Sequence, residues 1–169
     1  MKCIHNSPPT FSGKYHSSGE QHKAIWEEKE IITAINEINE SEIDVMHQLM
    51  PLIKYYESAL PSKLLKNNID AHSQKIHRNS YQELKHSYAN IESVVEKLAR
   101  ILSRYAYSRE KDARSFNSGE YDITHTIYAT YCDKFITRDK RLYNKALAIY
   151  YYLGVPTTVM HWDEFYDGK

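Results

Sequence analysis

Between Ser80 and Tyr105 the apolar residues fall at Leu84, Tyr88, Ile91, Val95, Leu98, Leu102 and Tyr105, in alternating steps of four and three. That spacing places them on one stripe of an α-helix. A stripe this long must be buried against something, so it constrains the fold more than any other feature. Ser80 and Glu83 form a capping-box pattern in front of it. The spacing therefore predicts one long amphipathic helix reaching about Arg109. Three heptads could also support a coiled-coil pairing. Polar Ser87 and Ser103, without a consistent flanking charge code, favour an intramolecular core face instead.

The rest of the first two-thirds reads as almost wholly helical. Residues 1–19 hold Pro8, Pro9, Gly13, Gly19 and several serines, and read as an irregular arm before a domain over 20–169. Ile25, Ile32, Ile35 and Ile38 give a one-sided helix from about Glu20 to Glu40. Ser41 followed by Asp44 resembles the start of a helix carrying Ile43, Met46, Leu49 and Ile53, which Pro51 must kink or end. Pro61 opens a short helix with Leu64, Leu65 and Ile69. Only five glycines occur in 169 residues, which fits a chain with few tight turns.

The end of the chain changes character. Ser115 to Gly119 breaks the helical pattern, and a helix follows over about 120–131, with Ile123, Ile127 and Tyr131 on one face. Lys134 to Thr137 is a short strand. Lys140 to Leu153 is a helix with Leu142, Ala146, Ile149 and Leu153 facing inward, stopped by Gly154. After Pro156, Thr157 to Met160 is a last strand. Helix, strand, helix, strand is a parallel crossover, so the class is α/β, mostly helical with a small parallel sheet.

Composition removes several function classes. Lys and Arg total 22, as do Asp and Glu, so the formal net charge is zero and no global field draws the chain to nucleic acid. Contact with RNA would need a local patch, and Lys134, Arg138, Lys140, Arg141 and Lys145 supply one. An ordinary solvated helix face explains the same residues. Cys3 and Cys132 do not make a disulfide framework, and the first residues show no basic stretch followed by an apolar run, so a secretory leader is not expected. The most apolar run, Ala146 to Val155, is too short to span a bilayer. A reduced, cytoplasmic setting without membrane partners is the simplest expectation. Nine histidines show no complete zinc spacing, and neither a nucleophile elbow nor a phosphate-cradling glycine loop is present.

Two acids stand where chemistry could be built. Asp122 falls near the start of a predicted helix, and Asp139 falls just past the strand 134–137. Carboxylates converging there would suit a hard divalent cation. Both positions also favour Asp for capping alone. Asp133 reads as a turn or cap residue. His125 lies one turn past Asp122, where it could steady a phosphate or simply be a partly buried structural histidine. Tyr150 to Tyr152 lie on a helix with a core stripe and read as packing or partner contacts.

The segment CDKFITRDKRL resembles the final acidic signature of PIN domains, and the preceding YDITHTIYA resembles the helix carrying another of their acids. VPTTVMHWDEF resembles the family's last strand and its short acidic–aromatic tail. The resemblance is strongest over 80–166. It implies an α/β/α fold and a ribonuclease dependent on Mg²⁺ or Mn²⁺, in many members the toxin of a toxin–antitoxin pair. Residue by residue, it assigns Asp122 and Asp139 as metal ligands and Thr137 as the hydroxyl beside the last Asp. The family's opening strand, which ends in Asp, has no counterpart. EIDVM at Glu42 to Met46 comes nearest, but Asp44 lies inside a helical pattern, and Glu57 and Glu83 lack a motif. The first strand is absent, or the chain is an N-terminally altered version.

Three expectations follow. The first is metal-dependent RNA cleavage by Asp122, Asp139 and Thr137. The second is a catalytically impaired PIN-like module that binds a protein partner, or a second copy, through helix 84–105. The third is a site whose missing acid comes from a partner chain.

Overall fold

The computed structural model describes residues 21–41, 74–108 and 116–166. The 1–19 arm, the helices expected around Ile43–Ile53 and Leu64–Ile69, and Asp44 and Glu57 lie outside these residues.

Helix α1 (Gln21–Ala24) runs into a 3₁₀ turn (Ile25–Glu27), and Glu28 is extended, at φ −68° and ψ 129°. Helix α2 then covers 29–41. The continuous helix expected from Glu20 is thus broken at Glu28. The extended residue resets the helical phase, so Trp26 and Ile31 become fully buried while Ile32 is 43% exposed. This segment is stitched to the rest by specific bonds. The Trp26 indole N–H donates to the Ala148 carbonyl at 2.9 Å. The Asn39 amide pairs in both directions with the backbone of Ile76, at 2.8 and 3.1 Å. The Arg78 guanidinium reaches the Trp26 carbonyl at 3.0 Å and the Glu27 carboxylate at 2.7 Å.

The long helix expected from Ser80 is two helices, α3 (Tyr81–Leu84) and α4 (Tyr88–Arg104). Ser80 makes no capping bond. Its hydroxyl donates instead to the His77 carbonyl at 2.8 Å, and extended Ser87 starts α4. The break turns Tyr81 and Leu84 inward together while leaving Tyr88 37% exposed. Within α4, Ile91, Val94, Val95, Leu98, Ala99, Ile101 and Leu102 are all buried. The stripe is therefore consumed by the chain's own core, and a partner at this helix would meet its other faces. The helix stops at Arg104 in a Schellman motif. Tyr107 N–H bonds the Leu102 carbonyl at 2.9 Å, Ala106 N–H bonds that of Ser103 at 3.1 Å, and Ala106 takes φ 58°.

Helix α5 (Phe116–Ala129) begins earlier than expected, because Gly119 is accommodated inside it. It also ends earlier, which leaves Tyr131 in a turn and 49% exposed. Strand β1 (Lys134–Thr137), α6 (Lys140–Leu153) and β2 (Thr158–His161) form the parallel crossover, with Lys134 paired to Thr158 and Thr137 to His161. Short α7 (Trp162–Tyr166) follows. Gly154 ends α6 at φ 72°, where a Cβ would come 3.2 Å from Asn79 Oδ1. One hydrophobic cluster joins residues of the N-terminal segment, α4, α5, α6 and β2. Among the described residues no helix is long and apolar enough to cross a membrane.

The buried end of α5 leaves carbonyls that need donors away from water. Side-chain hydroxyls supply them. Tyr150 donates to the Thr126 carbonyl at 2.6 Å, and Tyr81 donates to that of Thr130 at 2.7 Å. The Thr157 hydroxyl lies 2.7 Å from the Cys132 carbonyl and 2.9 Å from that of Ala129. Several of the many tyrosines are thus core residues with a polar tip. Tyr150 and Tyr152 are buried and Tyr151 is 43% exposed.

Candidate functional site

Asp139 stands just beyond the carboxyl end of β1. Its own N–H is held by the Thr137 hydroxyl at 3.1 Å. Its Oδ1 accepts the N–H groups of Arg141 at 2.7 Å and Leu142 at 3.1 Å. Asp139 is therefore the N-cap of α6, two of whose otherwise unpaired donors it satisfies. Both bonds fall on Oδ1 and neither on Oδ2. Thr137 fixes the turn that presents this carboxylate, which is a positioning role.

Asp122 sits inside α5 rather than at its start, because the helix already begins at Phe116. A capping role is thereby removed. Asp122, with Ile123 and Thr126, forms one wall of a surface groove. Arg141, Leu142, Lys145 and Ile149 of α6 form another, and Val95 and Ala99 of α4 lie at its base. The space inside the groove is about 20 Å³, room for about one water, and it opens to solvent. Its floor is apolar and its charged residues are Asp122, Arg141 and Lys145. Asp139 does not line it, but Leu142, whose N–H Asp139 holds, does. The groove thus reaches the turn of α6 that Asp139 caps. Among the described residues, no group of three or more His, Cys, Asp or Glu is placed to hold a metal ion. An ion here would rest on these two carboxylates, the Thr137 oxygen, and water or phosphate oxygens.

Other sequence candidates fall around this end. Lys134, Arg138 and Lys140 are exposed, whereas Arg141 and Lys145 are half-buried in the groove. His125 is exposed, contrary to the partly buried structural role, since it lies on the outward side of α5. Asp133 is exposed, and its carbonyl accepts the Thr158 N–H at 3.0 Å to open the sheet. Glu83 is exposed on α3.

The carboxyl end of β2 contributes residues that the motif did not single out. The His161 Nε2 lies 3.1 Å from the Arg138 carbonyl, and its Nδ1 lies 3.1 Å from the Asp163 carboxylate. Glu164 accepts the His161 N–H at 3.0 Å and the Tyr143 hydroxyl at 3.4 Å. Burial, and then the neighbouring Glu164, pushes the Tyr143 phenol above its ordinary range. The Arg138 guanidinium lies over the Trp162 ring, 4.4 Å from its centroid. Only the pairing of Thr137 with His161 could have revealed this, because it brings the two strand ends together.

Compared with known proteins, the chain matches no family model, no curated protein and no solved structure.

Proposed function

We propose that this chain is a PIN-like domain that cleaves RNA with a divalent cation, Mg²⁺ or Mn²⁺, held by Asp122 and Asp139 and supported by Thr137. The observation that carries the reading is the position of Asp139. It stands at the carboxyl end of a parallel strand, where open α/β sheets bind their ligands, one helical turn from a groove that Asp122 lines. The donors are hard oxygens, and Mg²⁺ is commonly held by one or two carboxylates, with waters and substrate phosphates completing its shell. When bound, such an ion polarises a phosphoryl oxygen and lowers the pKa of a coordinated water. The chain's own cations do the rest. Arg141 and Lys145, at the edge of the groove, neutralise a phosphodiester backbone passing over it, and the Thr137 and Asp139 turn fixes the register of the acids.

A second reading is favoured by the same groove. Two cations beside Asp122 partly neutralise it, an arrangement suited to holding RNA without cutting it. Mn²⁺-dependent RNA cleavage by wild type, Asp122→Asn and Asp139→Asn separates the two. Asn caps a helix about as well as Asp, so Asp139→Asn keeps α6 intact while weakening metal ligation. Outer-shell partners of a metal are typically worth 10–100-fold in activity, so loss of a direct ligand should cost about a hundredfold or more. Equal cleavage by all three proteins would sink the metal site. RNA binding without cleavage by wild type would support the second reading.

A further inference from the structure

The Arg138 and Trp162 pair lies outside the groove and plays no part in holding an ion. Thr137 and His161 are register partners, so the next residue of each strand, Arg138 and Trp162, leaves the sheet side by side. The guanidinium lies 4.4 Å from the indole centroid, and Phe165 lies 6.2 Å from the same ring. Trp162 is 36% exposed and Phe165 44%, and Tyr166 beside them is 78% exposed, so the short helix α7 carries three exposed aromatics in five residues. Asp139 directly follows Arg138, so this aromatic surface borders the turn that carries the candidate acid.

We propose that the Trp162–Arg138 pair is a stacking platform for an unpaired base of single-stranded RNA whose backbone lies along Arg141 and Lys145. This rests on the RNA reading of the adjoining site. Every base has a π-face, so an indole backed by a guanidinium takes a base whatever its sequence, provided the base is not already stacked in a duplex. The local charge agrees. Arg138 precedes Asp139 in the turn, and Lys140, Arg141 and Lys145 follow in the first two turns of α6. The nearby acids are engaged, Asp139 with the N–H groups of Arg141 and Leu142, Asp163 with His161, and Glu164 with the His161 N–H and Tyr143. A partner protein docking on the same patch is the competing occupant, and the test separates it.

The chain has two tryptophans, Trp26 and Trp162, and Trp26 is fully buried against Ala148. Intrinsic fluorescence therefore reports Trp162 against a shielded reference. Wild type is titrated, without divalent metal, with a single-stranded oligoadenylate, an abasic oligomer of the same length and a duplex RNA. Quenching by the oligoadenylate, and little by the other two, is expected. Trp162→Leu should bind the oligoadenylate about tenfold or more weakly, as stacking a base on an aromatic side chain implies, while Trp162→Phe stays near wild type. Unchanged affinity of Trp162→Leu overturns the platform, as does equal quenching by the abasic oligomer. An absence of all oligonucleotide binding overturns it too and leaves the surface to a protein partner. The cleavage test of Asp122 and Asp139 is separate, so stacking without cleavage would sink the nuclease reading alone.

Discussion

Hydroxyls of Tyr81 and Tyr150 satisfy buried carbonyls of α5 and its exit turn, and that of Thr157 satisfies the part-buried Cys132 carbonyl. Each removes a desolvated orphan, so deleting one should cost more than the bond it makes. Thr157→Val keeps the shape and removes the hydroxyl, leaving the Cys132 carbonyl short of its donor, while that of Ala129 keeps the Cys132 N–H at 3.0 Å. A loss of roughly 1–3 kcal/mol in urea unfolding is expected, and a change near zero would mean that other donors suffice. The same burial controls the alkaline limit. It pushes the Tyr107 phenol up to about 12 from the ordinary 10.0, and it raises Tyr150 as well. In this window the unfolded chain releases protons that the native state retains. The stabilisation is thus complete below the unfolded value near 10 and is lost as pH rises towards about 12. Urea midpoints should hold steady up to about pH 9 and fall between about pH 10 and 12, with phenolate absorbance rising as the chain unfolds. Tyrosine absorbance that titrates fully near pH 10 in folded protein would contradict this.

At the scale of elements, the end of α4 shows what a residue type can hide. Ala106 holds the left-handed position of a Schellman motif where glycine is usual, at φ 58°. A left-handed non-glycine residue costs about 1–2 kcal/mol, and extra freedom in the unfolded chain returns part of that to glycine. Ala106→Gly should therefore stabilise the protein by about 0.5–1 kcal/mol, a rise of a few degrees in Tm, and a fall would contradict the geometry. The absent glycine is also why the sequence pointed to a helix running on to Arg109. Gly154, which is present, made the stop of α6 plain. Strand Lys134–Thr137 and helix Lys140–Leu153 were legible because β-branched and apolar periods switch cleanly there, and β2 lies one residue later than expected. The break at Lys85–Ser87 was not legible, because the four-and-three spacing continues unbroken across it. The break at Glu28 was hidden in the same way, by one extended residue inside a helical pattern. Of the site, Asp139 and Thr137 could be read from TxD beside a strand. The groove partners of Asp122 could not, because packing of α4, α5 and α6 brings them together rather than any spacing along the chain.

For the whole molecule, one core joins the N-terminal segment to the C-terminal crossover, and the long stripe that first constrained the fold is buried inside it. Among the described residues, the carboxyl end of the two-stranded sheet, with the groove beside it, is a place where acids, cations and exposed aromatics gather. Its central test is whether Asp122 and Asp139 act on one ion. Mn²⁺ binding, followed by the loss of the free-ion electron paramagnetic resonance signal, measures this without RNA or turnover. Wild type should show one site. Asp122→Asn and Asp139→Asn should each weaken it about tenfold or more, and the double variant should be little worse than either, because two ligands of one ion are not additive. Wild-type affinity in both single variants, with the fold intact by circular dichroism, would show that Asp139 is only a helix cap and Asp122 only a wall of the groove.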